Sequence, residues 1–529
     1  MGAPSAENEL AEPQMLQFLS FLGIDVEYVR GEGNTLHFRD DSGREIPVLD
    51  YAGGYGALIL GHNHPGIVTA AREFLDSGTP VLAQAARQTA ASGLASALNR
   101  IVQREVGDGE PYYAVFSNSG AESVEVALKH AVFERGMKIA ALEAEIAVHL
   151  EEARVAVEAG RAGVADGAAR AAGLAGSGGR GAQAYGELVA HVRRHNAEQA
   201  ARPPVFLTLE GGFHGKLAGS VQLTHNASFR LPFASMAAQA RFLPFDQPPA
   251  VAKLMGEERA HVLDVAVEDG EVRLVERPFP VFAAFVLEVI QGEGGIRVVT
   301  EEMAQAIREA CGAADCPVVV DEIQSGMGRT GAFFASSLIG LKADYYTLAK
   351  GLGGGIAKAA VTLIREGRYR PDFELVHSST FAKDAFSNTI ALKTLELVEA
   401  GDGEVYRLAR TWGERLLGLF AALREEFPDV VKDVRGKGLM LGLEFHDQSG
   451  SAAGGIRDAA AGGILGYVVS GYLLRTHRIR TFPTASAVNT LRFEPSVLLT
   501  DAEVDRLEQA LRALCSVLRD QNEQALFAR

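Results

Sequence analysis

The sequence predicts an α/β protein in which a large domain built on a mostly parallel sheet is joined to a smaller α+β domain. Three observations carry this. Between Pro203 and Ile364, apolar β-rich runs alternate with helical patterns and glycine-marked turns. Past about Phe386 the pattern turns helical, then mixed, to the end. A length of 529 residues also exceeds what one small core organises.

The runs "PPVFLTLEGGFHG", "FAAFVLEVIQGEGG", "CPVVVDEIQSG" and "ADYYTLAKGLGGG" each climb through Val, Ile, Leu, Phe or Tyr and break at polar residues and glycine. Continuous apolar strands are covered on both faces, as in a parallel sheet. Ligands bind such sheets beyond the carboxyl ends of the strands. The four runs place their unusual polar residues there: His214, Glu293, Asp321 with Gln324, and Lys350.

Ahead of these, "SNSGAESVEVALKHAVFERG" reads as a helix start, with Ser119 and Gly120 before an amphipathic run whose first amides would face an anion. From Met137 to about Arg202 an Ala-, Glu- and Arg-rich stretch has a helical period, broken by the turn-like "AGLAGSGGRGAQ"; it reads as an inserted helical hairpin, or as a partly disordered insert without a catalytic role. "LDVAVEDGEVRLVERP" alternates around Asp269-Gly270 and predicts a β-hairpin over 262–280. The expected organisation is an N-terminal segment, 1–75, contributing to the small domain, a large domain over 76–385 that carries both insertions, and the small domain over 386–529.

Composition narrows the class. Hydrophobic residues at 47% and charged residues at 22% are ordinary for a folded protein, and a net charge of −16 disfavours nucleic acid or an acidic membrane as partner. No apolar run reaches the length of a membrane span. The start "MGAPSAENEL" lacks signal-peptide regions, and Ala6 departs from the myristoylation pattern. Three cysteines, Cys311, Cys316 and Cys515, form no disulfide framework or zinc pattern, so the expectation is a reducing cytoplasm and no metal.

Lys350 ends an apolar run and precedes four glycines in five residues. Either the chain surfaces there, or the amine is reactive; a buried ammonium is costly. Asp321, after three valines, needs a cationic partner such as a pyridinium nitrogen. The amides of Ser119, Gly120 and Ala121 suit a phosphate, Phe213 a flat ring, and Lys350 an aldehyde. Together these are the parts of pyridoxal 5′-phosphate. Two other readings fail. A P-loop ATPase needs a Walker motif, and "EGGFHGKLAG" has Glu210 and Leu217 at its defining positions. "GHNHP" offers two histidines without a third ligand, which fits a turn before a helix better than a metal site.

"VVVDEIQSGMGRTGAFFA" followed by "ADYYTLAKGLGGGI" resembles the signature of the class III pyridoxal-phosphate aminotransferases, the ornithine and omega-aminotransferase family. "SNSGAESVEVALK", "EGGFHGKLAG", "LEVIQGEGG", "VRGKGLMLGLEF" and "LRFEPSVLLT" follow in the family's order, and the resemblance runs from about Asp50 to the C-terminus apart from the two insertions. It implies fold type I, with a seven-stranded, mostly parallel sheet. Lys350 becomes the Schiff-base lysine and proton carrier, and Asp321 the partner of the ring nitrogen. Ile323 and Phe213 take the two faces of the ring, and Gln324 its hydroxyl. His214 and Glu288 join the cofactor contacts, with Glu122 behind them. Ser119, Gly120 and Ala121 hold the phosphate, together with Thr380 from the neighbouring subunit of a homodimer. Glu293 and Arg492 match a pair that handles substrate carboxylates.

Two departures concern substrate. "FAKDAFSN" follows Thr380 where Gly-Gly-Asn-Pro is common in the family, and Lys216 stands where many members carry an arginine able to grip a carboxylate in bidentate fashion. Lys216 resembles branches that handle diamines or aldehydes, and "GGYG", with Tyr55, resembles aminotransferases of natural-product (antibiotic) biosynthesis that aminate an aldehyde. The implied activity is transfer of an amino group from an amino-acid donor to an aldehyde or ketone by a ping-pong route. The alternatives on the same fold are an aminomutase and a decarboxylase of dialkyl amino acids.

Overall fold

The computed structural model describes residues 11–40, 42–107, 109–174 and 181–528; the "MGAPSAENEL" start and most of the glycine-rich turn at 175–180 lie outside the described residues. Its centre is a seven-stranded sheet. In chain order the strands are β1 (Tyr112–Ser117), β2 (Val205–Leu209), β3 (Ala240–Leu243), β4 (Phe282–Leu287), β5 (Val318–Asp321), β6 (Tyr345–Leu348) and β7 (Ala360–Arg365). Across the sheet the order is β1-β7-β6-β5-β4-β2-β3, and only β7 runs antiparallel to its neighbours. β2, β4, β5 and β6 are buried at every position, which is why their sequences are unbroken apolar runs rather than alternating ones.

α1 (Gly120–Glu158) opens just after β1 and crosses the sheet. Met137, where the insertion was expected to begin, lies within α1, which continues through Gly136. Ile146, Leu150, Ala153 and Val157 keep one buried face beyond it, and that burial outweighs the roughly 1 kcal/mol helix penalty of a glycine. α2 (Ala182–Ala200) returns alongside α1. The hairpin strands Ala260–Glu268 and Glu271–Phe279 pair around Asp269-Gly270 and lie against both helices. Asn196 exchanges two hydrogen bonds with the Leu263 backbone, at 2.8 and 2.7 Å. Asp264 accepts from His149 at 2.9 Å and from Arg277 at 3.0 Å, and Gly163–Val164 adds a short parallel pairing with Glu271 and Val272. The two insertions therefore form one lobe.

Glu45–Asp50 pairs with Ile479–Arg480, and Asp50 accepts from Arg480 and pairs with His62, both at 2.8 Å. In "GHNHP", His64 caps the helix Pro65–Asp76. A second four-stranded sheet, containing Val431–Lys437, Met440–Phe445 and Thr490–Phe493, packs against the helix Ala385–Glu426, whose path breaks at Ala400–Gly403. No helix among the described residues is long and apolar enough to cross a membrane, and Cys311, Cys316 and Cys515 are free and buried.

At Gly413 that helix touches the turn at Gly438 so closely that a methyl group would fall inside the Gly438 backbone. Gly413→Ala is expected to destabilise the protein by about 1–3 kcal/mol, the usual cost of overpacking, despite alanine's better helix propensity. Denaturant unfolding measures it; an unchanged midpoint would show that the packing there is loose.

Candidate active site

The carboxyl ends of β2, β4, β5 and β6 converge with the start of α1. Asp321 is the last residue of β5 and is buried. A carboxylate leaving an all-apolar strand must be paired, and here Oδ2 meets His214 Nδ1 at 2.8 Å. Oδ1 accepts from the Ile323 amide at 3.1 Å and from Thr347 on β6 at 3.3 Å. His214, in the loop after β2, has Nε2 3.3 Å from Thr208. Burial pushes its pKa down, but the bond and charge of Asp321 outweigh that and hold it above the usual histidine value.

Glu288, just past β4, accepts from the amides of Phe213 at 2.8 Å and Gly292 at 3.0 Å. Burial is the main cause that raises its pKa to about 7; His214 opposes the rise and Asp321 adds to it. His214 thus lies in the field of two carboxylates and is bonded to one of them, Asp321.

Lys350 follows β6 in the left-handed region at φ 41°, a conformation that costs a non-glycine residue of order 1–3 kcal/mol. Its Nζ donates to Gln324 Oε1 at 2.8 Å. Burial lowers its pKa, with Glu494 and Glu293 pulling the other way. Gln324 Nε2 in turn donates to Glu494 Oε1 at 2.6 Å. A side chain at Gly292 would overlap the Gln324 amide, which accounts for the glycine in "QGEGG".

Ser119 caps α1 by accepting from the Glu122 amide at 3.3 Å, and Glu122 holds the Asn118 amide at 2.6 Å. Gly120 and Ala121 open the helix, and an added Cβ on Gly120 would press on Ile323 at 3.0 Å, so the helix start and the β5 loop are in contact. Phe213 stands edge-on to Phe229, over whose ring Lys216 places its amine 4.0 Å from the centroid. Glu293 and Arg492 form an ion pair, and Glu293 also accepts from the Ala485 amide at 2.7 Å. Burial pushes Glu293 up, but Arg492 holds it below the usual carboxylate range. Arg492 lies 4.9 Å from the ring of Tyr55, which is 44% exposed and itself left-handed at φ 56°. Its Nε and Nη1 are buried with no partner among the described residues.

Thr380 sits apart. It is exposed in a 380 Å³ cleft with Lys383 and the segment 81–88, and its neighbour Ser379 accepts from Asn118 at 3.0 Å. Three residues of the site stand outside the sequence expectations. Glu494 and Arg329 are fully buried, Arg329 donating to the carbonyls of Gly56, Leu439 and Pro495 at 2.9–3.2 Å. Thr347 supports Asp321. A carboxylate inside "TLRFEP" and a threonine inside "DYYTLAK" were the available signals.

A family model described as Aminotransferase class-III matches residues 22–513. Similar solved structures include the ornithine aminotransferase of Toxoplasma gondii ME49, 18% identical over 94% of this chain and 92% of that one, with a TM-score of 0.65. An amine transaminase from an uncultivated Pseudomonas species, in its PLP-bound form, is 20% identical over 98% of each chain, TM-score 0.65. The N-acetylornithine aminotransferase of Stenotrophomonas maltophilia K279a is 24% identical over 96% of this chain and 100% of that one, TM-score 0.58. These likenesses show the fold.

The His214–Glu288–Asp321 cluster sets a pH dependence. An acid whose pKa is higher folded than unfolded binds its proton more tightly in the fold, so the Glu288 contribution is lost as pH rises from 4.5 through about 7. His214, also raised, acts in the same direction: its contribution is present below 6.5 and lost as pH rises through the folded value. Glu288→Gln is therefore expected to gain stability relative to the wild type as pH rises across that window. Urea midpoints across it check this; a difference that stays constant with pH would show that Glu288 does not carry the proton.

Proposed function

The chain belongs to the class III aminotransferases and has the fold-type I architecture, and from that premise we propose that it moves an amino group from an amino-acid donor to an aldehyde or ketone at the site around Lys350. The observation that carries the reading is the joint geometry of Lys350, Gln324, Asp321 and His214, three strand ends presenting an amine, an amide and a charge pair to one space.

The family's cofactor is pyridoxal 5′-phosphate, and the donor set fits it. A lysine amine with a depressed pKa suits the aldehyde, a buried carboxylate suits the ring nitrogen, and a serine-capped helix start suits the phosphate. When bound, the cofactor supplies an electron sink that stabilises negative charge on the substrate carbon.

The chain's residues supply the rest. Asp321, with one oxygen on His214 and the other on Ile323 and Thr347, offers fixed negative charge where a protonated ring nitrogen requires it. Lys350 has a lowered pKa, and in the loaded enzyme its amine would accept a proton and return it. Ser119, Gly120 and Ala121 would hold the phosphate against the helix start. Ile323 and Phe213 would flank the ring. His214 and Glu288 would support it through Asp321 and the Phe213 amide.

Arg492, already paired with Glu293, would bind a substrate carboxylate, with Tyr55 and Lys216 at the mouth. The Lys216 amine is a point charge with no planar fork, and this favours an aldehyde or amine substrate, as in natural-product pathways, over a dicarboxylate. Donor and acceptor would use one site in turn, giving ping-pong kinetics. The exposed Thr380 loop fits a homodimer in which Thr380 serves the neighbouring subunit. The expected compartment is the cytoplasm.

Absorption spectra of the purified protein with a panel of amino donors test this. A visible band near roughly 410–430 nm, bleached by a productive donor and absent in Lys350→Ala, is expected. Failure to bind the cofactor when it is supplied would remove the reading. Asp321→Asn should keep the protein folded and lower kcat by roughly 10²-fold or more, the scale for losing a preorganised charge. A near-wild-type kcat would rule out a role at the ring nitrogen.

A further inference from the structure

Glu494 has no function in the scheme so far, yet its placement is costly. It follows the strand Thr490–Phe493, is fully buried, and leaves Oε2 with no partner among the described residues. The charges of Arg329, Arg492 and Lys350 lie near it and offset its own, yet half of its hydrogen-bonding capacity is left open. Its backbone is fixed by a bond from its amide to Tyr51 at 2.7 Å. The site of an absent Cβ on Gly56 lies 3.2 Å from Gln324 Cγ and 3.4 Å from Glu494 Oε1, so the glycine makes room for both side chains.

Glu494 Oε1 takes Gln324 Nε2 at 2.6 Å, and Gln324 Oε1 takes Lys350 Nζ at 2.8 Å. An ionised carboxylate only accepts, and the lysine amine donates here, so a single orientation of the Gln324 amide satisfies both neighbours. The flipped amide would set oxygen against oxygen and N–H against N–H.

We propose that Glu494 is a positioning residue for transamination, fixing the Gln324 amide so that its oxygen, an acceptor, faces Lys350 and the reacting end of the cofactor. The inference rests on the reading of the site given above. In the absence of Glu494 the amide is free to turn and offer N–H donors there. A donor near the ring hydroxyl stabilises its ionised form, so the pH at which the visible band of the loaded enzyme changes should fall.

The experiment is a pH titration of that band in the holoenzyme. Glu494→Gln removes the charge and keeps the size. Glu494→Asp keeps the charge but is one methylene too short to hold Gln324. Each is expected to lower the midpoint by roughly 1 pH unit, and either variant alone decides if the other does not fold. In a Gln324→Leu background, Glu494→Gln should add no further shift, because the effect passes through the amide. An unmoved midpoint in Glu494→Gln, a wild-type midpoint in Glu494→Asp, or an equal shift with and without Gln324 each overturns the proposal while the wild-type band leaves the cofactor reading intact. A wild type with no band overturns both.

Discussion

Everything at this site depends on giving partners to one carboxylate at the buried end of an apolar strand. Asp321 emerges from three valines with almost no solvent, and an unpaired charge there would neutralise itself or unfold the strand. His214 prevents that on one side, and Thr347 and the Ile323 amide on the other. The neighbours follow from the same constraint. The His214 loop lies across the end of β2, and β6 carries a threonine among its apolar residues. Glu288, the second carboxylate near that imidazole, is held toward its neutral form.

Lys350 and Gln324 reflect the complementary demand, that an amine be poor in protons yet well directed. Burial serves the first, and the left-handed turn after β6 with the amide of Gln324 serves the second. Lys350 and Tyr55 are among the non-glycine residues held in the left-handed region.

The parallel strands were legible because burial on both faces leaves an uninterrupted apolar run, and the polar residues that break those runs are the ones that meet. Ser119 was legible as a cap because its signal is local. Glu494 was not: its partner lies 170 residues away, and an acidic residue after a strand ordinarily faces water. The joining of the two insertions was hidden for the same reason, since Asn196 with Leu263 and His149 with Asp264 are distant pairs. That α1 runs unbroken from the helix start at Ser119 into the insertion was not legible either, because the packing that holds Ile146, Leu150, Ala153 and Val157 is with distant segments.

That continuity has a mechanical meaning. α1 is 39 residues long, about 58 Å at the usual rise, and its first turn belongs to the site while its last belongs to the lobe. Because the helix runs unbroken between the two ends, the lobe is carried on the far arm of the helix that starts at the site. The hairpin and α2 both pack on that arm, so its pose relative to Ser119 follows the helix axis rather than loop length. Two stretches of chain that look optional in sequence thereby share one orientation with the helix that opens the active site.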